Sequence, residues 1–351
     1  PVPAQAGPSD PHTWDEEDDN DEDEPEDDEN DEKDGNPWGI RFLRMFDMTN
    51  DSNLFQTAEQ LEADGFWHGT DYAWHKGQET YVRLYEGKMV QMFDHRAARV
   101  IVDPNNLFRP ARPEPTTAKE KANSNFTVRS QFYIPKEEVA TALDNNIPPW
   151  ILAYKLITAP TNARTFITAA LPSEGAGNSL ALMLHNKDAS HVPGYLLLAN
   201  FTTFVLDFAC RQKVHGQNLN FFVVKQLPVF TPNFYEKPFK GHDIRPWIRD
   251  RVLELTYTAE DMRPFAEDLG YEGDPFIWDE ERRLHLRCQL DALYFHLYNI
   301  NKEEIGYILD TFPIVRNHDQ KNTGHYRTKD LIQSYWTAYN AGDLDAEVSR
   351  K

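Results

Sequence analysis

Phe204-Val205-Leu206-Asp207-Phe208-Ala209-Cys210-Arg211-Gln212-Lys213-Val214-His215-Gly216-Gln217-Asn218-Leu219-Asn220-Phe221-Phe222 places a buried helix end, a polar loop and a new apolar run within one short stretch. Upstream, Tyr195 to Lys213 is apolar on most faces, which predicts one long helix central to a core. Downstream, Leu219 to Val224 reads as a strand completing the same unit. The loop between them carries Arg, Gln, Lys, His, Gln and Asn. Those side chains reach phosphates and base edges in nucleic-acid interfaces.

Three strand-like runs precede that helix: Trp150 to Thr158, Thr165 to Leu171 and Ser179 to His185. Before them a short helix, Lys136 to Leu143, follows Pro135 and ends at Asp144-Asn145-Asn146. Nearer the start, Trp38 to Phe46 predicts a half-buried strand, and Leu54 to Ala63 a helix capped by Thr49 or Asp51 and closed by Gly65. Tyr81 to Tyr85 and Met89 to Phe93 flank Glu86-Gly87-Lys88, the pattern of a β-hairpin. Residues 103–125 read as a loop or insertion. The tail predicts five helices: Arg245 to Leu255, Ala259 to Leu269 with Thr258 as N-cap, Asp279 to Asn299, Lys302 to Thr311 and Thr328 to Ala341. In the third, Leu284, Arg287, Cys288, Asp291, Ala292, Phe295 and Tyr298 share helical spacing, and Asp291, Tyr294 and Tyr298 are expected to face a neighbouring helix. The fold class expected is α+β, a mixed-sheet recognition region followed by a mostly helical C-terminal region. Its expected segments are 1–36, 37–115, 116–235 and 236–351.

The net charge of −21 argues against a nucleic-acid partner until it is divided along the chain. Residues 15–34 hold sixteen Asp and Glu against one Lys, whereas residues 81–257 hold 21 Lys and Arg against 15 Asp and Glu, an excess of +6. The middle is therefore modestly basic, compatible with a phosphate footprint. Residues 1–36 have almost no apolar content and cannot offset their ordering entropy by burial, so they are expected to be a disordered acidic linker. Asp15 to Asp34 can also be read as a nucleic-acid mimic or a gate over the basic middle. The first residue is Pro1, with no apolar signal segment behind it, which reads as a fragment. No run of eighteen apolar residues occurs, so a soluble, non-membrane chain is expected, and two cysteines in 351 residues fit buried thiols in a reducing cytoplasm, with no disulfide and no zinc.

Catalytic signatures are missing. An enzyme that methylates an exocyclic amine needs a glycine-rich cofactor loop and an Asn/Asp-Pro-Pro-aromatic turn around the flipped base. The nearest strings, Asp103-Pro104-Asn105-Asn106 and Pro148-Pro149-Trp150, lack the order. Asp274, Asp279, Glu280 and Glu281 sit where a helix starts and acids are favoured anyway. The pairs His185 with His191 and His68 with His75 lack i, i+4 spacing for a metal. What remains is polar readout on a rigid frame. Asn162 and Arg164 lie in a loop joining two strands, and Arg211, Lys213, His215, Gln217 and Asn218 form a second candidate patch. For Arg164 the competing reading is a buried ion pair that fixes the loop; for the second patch it is a solvated helix C-terminus. Lys88, His95 and Arg96, with Arg99, form a third patch, which could equally be exposed charge on an edge strand. Lys187 and His191 are weaker candidates for a recognition loop.

The run RQKVHGQNLNFFVVKQLPV, Arg211 to Val229, resembles a block near the C-terminus of large adenine-specific DNA methyltransferases of type IIG restriction-modification and phage-defence systems. MFDMTNDSNLF with LYEGKMVQMFDHR, ITAPTNARTFITAALP, LRCQLDALYFHLYNINKEEIGYILDTFP and GHYRTKDLIQSYW resemble further blocks of that family, in the same order. The resemblance implies a target-recognition region that grips double-stranded DNA around the target adenine. It also implies a methyltransferase catalytic domain upstream that uses S-adenosylmethionine, with no cofactor expected in this chain itself. The alternative is a protein-interaction module, in which the acidic run and the helical tail dock other subunits of a defence complex.

Overall fold

Along Ile151 to Leu156 side chains alternate between two cores. Leu152, Tyr154 and Leu156 enter one, while Ile151 and Ala153 enter the other. A strand buried on both faces must lie in the middle of layers, and the computed structural model, which describes residues 35–102, 111–185 and 193–348, puts it there. β8 (Ile151–Lys155) pairs antiparallel with β11 (Leu180–His185) and β9 (Thr168–Leu171), and β1 (Ile40–Leu43) adds to β11, giving the order β1-β11-β8-β9. In β11 the split repeats: Ala181 and Met183 face the first core, Leu180, Leu182 and Leu184 the second.

The second core is closed by another sheet, with order β10-β4-β3-β2 and β7 also pairing β4. Its strands are β2 (Trp67–His68), β3 (Trp74–Lys76), β4 (Glu79–Tyr85), β7 (Tyr133–Pro135) and β10 (Gly175–Ala176). Because β1 pairs β11 and β4 pairs β7, the segments 37–115 and 116–235 share both sheets. The first core lies under helices α4 (Gly194–Phe201), α5 (Phe204–Arg211), α7 (Ile244–Thr256), α9 (Glu280–Leu297), α10 (Lys302–Asp310) and α12 (Arg327–Asn340). It runs from Trp38 to Leu344, so the helical tail packs into the same core as the first strand. The architecture is α+β, with sheets in the first half and helices in the second, as expected. Tyr294 and Tyr298 face α4 as expected, their hydroxyls donating to Leu196 O and Asn200 Oδ1 at 3.2 and 3.1 Å.

Several expected elements are corrected. The long helix Tyr195 to Lys213 is two helices broken at Thr202-Thr203, where the Thr202 and Thr203 hydroxyls donate to Ala199 O and Asn200 O at 2.8 and 2.7 Å. Such back-bonding competes with the helical ladder. Thr203 is extended, and the first amide of α5, Phe204 N, donates to Asp291 Oδ1 at 2.7 Å. The strand expected at Leu219 to Val224 is instead one backbone bond, Leu219 N to Leu156 O at 2.8 Å, followed by the short helix α6 (Phe221–Val224). Both edges of β8 are already taken by β11 and β9, so only its end remains to pair. The hairpin about Glu86-Gly87-Lys88 fails likewise: β4 turns at Gly77 (φ 62°) to pair β3, and Gly87–Met89 is a 3-10 turn that sends Met89 and Val90 into the core.

The helix expected at Leu54 to Ala63 is a 3-10 turn, Ser52–Leu54, and then α1 (Ala58–Ala63), whose cap is Thr57 in a capping box with Gln60, not Thr49 or Asp51. Part of the expected loop 103–125 is structured. β5 (Ala98–Val102) pairs β6 (Ala111–Pro115), and Thr117 caps α2 (Ala118–Lys121); residues 103–110 lie outside the described residues. α3 (Lys136–Ala142) stands as expected, with Asp144 and Asn145 at positive φ beyond it. Ala259 to Leu269 is a 3-10 turn and then α8 (Arg263–Asp268), with Ala259 extended and Thr258 not a cap. α11 (Pro313–Thr323) was not expected; it buries no residue and so carries no apolar stripe. Cys210 and Cys288 are both free and buried, and burial pushes the Cys210 thiol up to about 12. Among the described residues no helix is long and apolar enough to cross a membrane.

Candidate nucleic-acid interface

The two loops singled out by their polar side chains, far apart in sequence, are neighbours in the fold. Thr158 N donates to Gln217 O at 2.8 Å, Ile157 and Asn218 form a β-bridge, and Leu219 N bonds Leu156 O. The loop after α5 is thereby laid along the end of β8.

Arg211 supplies a second tie. Its guanidinium donates to Asn162 O at 2.6 Å, Ala163 O at 3.0 Å and Thr311 O at 3.1 Å, and stacks 3.9 Å from the Phe312 ring centroid. Burial lowers the Arg211 guanidinium, with Asp207 working against that shift. Arg164 lies deeper. It is 7% exposed, donates from Nε to Asp207 Oδ2 at 2.5 Å and to Thr202 O at 2.7 Å, and sits 4.1 Å over Phe204. Asp207 also accepts Thr165 N at 3.0 Å and Phe166 N at 3.3 Å, and is fully buried. One carboxylate thus fixes the loop before β9 and stands 3.7 Å from Arg211 Nε. Of the two readings open for Arg164, the structure takes the buried ion pair.

What these anchors hold outward is the polar remainder. Asn162, His215, Gln217 and Asn218 are exposed, and Lys213 is half-buried with Nζ donating to Gln226 Oε1 at 3.2 Å. Phe222 is 58% exposed and Ile157 60%. Residues 145–173 and 208–235 contain no Asp or Glu, so no carboxylate from either segment opposes an anion there. Amides of Asn and Gln can pair with adenine edges, and Lys with phosphate or guanine. Their backbone is cross-tied, so little ordering entropy remains to be lost on contact.

The third patch does not come to this face. His95, 2% exposed, bonds Asp261 Oδ1 through Nε2 at 2.9 Å. Arg96 is fully buried and donates to four carbonyls, those of Asn123, Phe126, Lys121 and Thr258. Lys88 pairs with Glu86 at 2.8 Å, and Arg99 with Glu114 and Glu120. His95 and Arg96 tie the loop after β4 to the helical half through Asp261 and Thr258, while burial leaves Arg96 no surface to offer a phosphate. The edge-strand alternative fails for His95 and Arg96, which are buried, but holds for Arg99, which lies partly exposed on β5 of the two-stranded β5-β6 sheet. Lys187 and His191 lie outside the described residues, as does Asp103-Pro104-Asn105-Asn106. Trp150 of the Pro-Pro-Trp string donates to Asp268 Oδ2 at 2.8 Å, and Asp279 is the N-cap of α9. No group of three or more His, Cys, Asp or Glu placed to hold a metal occurs among the described residues.

Sequence reading missed Asp207, the shared anchor, whose i, i+4 spacing to Arg211 was the available signal. It also missed Phe222 and Gln226, marked only by the acid-free run around them. Comparison with protein-family models, with curated proteins and with solved structures finds no match.

Proposed function

We propose that the face built by the loops 158–165 and 212–220 contacts double-stranded DNA, as the target-recognition part of an adenine-specific DNA methyltransferase of a restriction-modification or phage-defence system. Methyl transfer from S-adenosylmethionine would then be performed by a catalytic domain outside this chain. The observation that carries the reading is the cross-tied pair of acid-free loops, which holds Asn162, Lys213, His215, Gln217 and Asn218 outward on a fixed backbone. The sequence resemblance supplies the enzyme class.

The test is fluorescence anisotropy with a random-sequence duplex at two salt concentrations, on the whole chain and on a variant lacking residues 1–36. Phosphate contacts give binding that weakens with salt. Lys213→Gln should lower the log-log salt slope by about 1, while Gln217→Ala should weaken binding with the slope unchanged. The variant lacking the acidic run should bind more tightly. Binding unchanged by Lys213→Gln and Gln217→Ala together would overturn the reading and favour a module that docks protein subunits.

A further inference from the structure

Where the chain breaks between α4 and α5, a cavity of about 160 Å³ opens against α9. Its floor is apolar and closed: Phe93, Phe204 and Leu290 are each under 5% exposed. Half-buried Met92, Leu284 and Val315 mark where it reaches the surface. Two charged side chains of α9 also line it, Arg287 and Asp291, one helical turn apart.

That spacing normally yields an ion pair, and here it does not. Arg287, half-buried, has no hydrogen-bond or ion-pair partner among the described residues. Asp291, 4% exposed, uses Oδ1 to accept Phe204 N and leaves Oδ2 unbonded. A donor-only guanidinium and an acceptor carboxylate therefore stand side by side over an apolar slot with space between them. A cavity of about 150 Å³ holds one six-membered ring such as benzene, so the volume fits a single ring and not a fused pair.

We propose that this cavity binds the base edge of an aminopyrimidine of the cytosine type. The exocyclic amine donates to Asp291 Oδ2, the ring nitrogen and carbonyl oxygen accept from Arg287, and the ring lies between Phe93, Phe204 and Leu290. Asp is the acceptor that matches the cytosine amine, and a guanidinium is the donor that matches paired acceptors. A uracil edge presents a carbonyl where the amine should be and leaves the carboxylate facing an oxygen, a mismatch inside a site built to bond. Burial raises Asp291 to about 7, against Arg164 and Arg287, which lower it, and Asp207, which adds to the rise. A bound amine donor would favour the ionised carboxylate. The base could come as a free nucleobase or extruded from a DNA strand, and the inference stands independently of the DNA-contacting face.

The experiment is isothermal titration calorimetry and thermal-shift analysis of the whole chain at pH 8 with cytosine, uracil and benzene. Comparison variants are Arg287→Gln, which removes a side chain that makes no hydrogen bond or ion pair in the free protein, and Val315→Trp, which fills the mouth. A parallel arm measures affinity for duplexes with one bulged cytosine or one bulged thymine. Cytosine should bind at least tenfold more tightly than uracil. Arg287→Gln should weaken it tenfold or more while the free protein stays folded, with only a small fall in melting temperature from the lost charge beside Asp291, and Val315→Trp should abolish it. Preference for the bulged cytosine identifies a strand-borne base; binding of cytosine without that preference identifies the free base. No cytosine binding, or benzene bound as tightly as cytosine and indifferent to Arg287→Gln, overturns the proposal.

Discussion

Replacing Asp207 with Ala should be among the most destabilising single changes in the chain. The carboxylate is fully buried and serves Arg164 at 2.5 Å, Thr165 N at 3.0 Å and Phe166 N at 3.3 Å. Arg164 has no other carboxylate within 4 Å among the described residues, and its remaining bond is to a carbonyl. Deleting one member of a buried pair costs about 3–5 kcal/mol because the other charge stays buried unpaired. Removing Arg164 as well, as Arg164→Met with Asp207→Ala, relieves that charge but leaves the two amides orphaned. A double-mutant cycle should therefore return a coupling of at least ~2 kcal/mol. Urea unfolding at pH 7 followed by far-ultraviolet circular dichroism reads all four corners. The same Asp207→Ala variant, assayed below its unfolding midpoint, should lose DNA affinity while keeping the wild-type salt slope, because Asp207 positions the loop and touches no phosphate. A cost below about 1 kcal/mol, or corners that add without coupling, would refute the view that one carboxylate organises the loop.

Two further buried acids should respond to pH in opposite directions. Asp261 is raised by burial, but the His95 and Arg83 charges and hydrogen bonds outweigh this and hold it well below the ordinary range. A depressed folded value gives stability that is full above the unfolded pKa near 4 and lost as pH falls through and below it. Asp261→Asn should cost about 3–5 kcal/mol at pH 7 and flatten acid unfolding below pH 4; an unchanged acid limb in pH-dependent urea titrations contradicts the assignment. Asp291, raised to about 7 from 3.8, has the reverse sign: stability is highest below pH 4 and declines as pH rises to 7. A rise of that size corresponds to about 4 kcal/mol. Asn retains an acceptor for Phe204 N, so the stability of Asp291→Asn relative to wild type should rise by about 3 kcal/mol between pH 4.5 and 8. A pH-independent difference would mean that Arg164 and Arg287 already neutralise the group.

What could be read in advance followed from whether one local signal or a competition decided each element. The strands at 151–155 and 180–185 and the tail helices α7, α9, α10 and α12 were legible from apolar runs and helical spacing. The failures came where tertiary partners decided. Met89 to Phe93 has strand composition, yet β4 had no edge left for it. Leu219 to Val224 met the same exclusion at β8. The break at Thr202-Thr203 had a local cause in two hydroxyls, but it holds because Asp291, nearly ninety residues on, takes the freed amide at 2.7 Å. For the candidate face, the loops were legible from residue type, whereas the division of labour within them was not. Composition cannot tell an arginine that faces solvent from one that stacks on Phe312 and binds carbonyls.

That division bears on how strongly the face could hold DNA. The +6 of residues 81–257 counts Arg83, Arg96, Arg164 and Arg211, all of which are engaged inside the fold. Lys213, with partial help from His215, is what remains on the two-loop face. If about two phosphates are neutralised, the log-log salt slope is near −2, and affinity falls only about tenfold between 50 and 200 mM salt. A reader that neutralised eight phosphates would lose ten-thousandfold or more over the same range. The surface is therefore suited to discriminating base edges through its amides and poorly suited to supplying affinity by charge. A measured slope steeper than about −4 would place the DNA on some other surface, while a slope near −2 with weak absolute binding would mean that this face contributes selectivity and little of the grip.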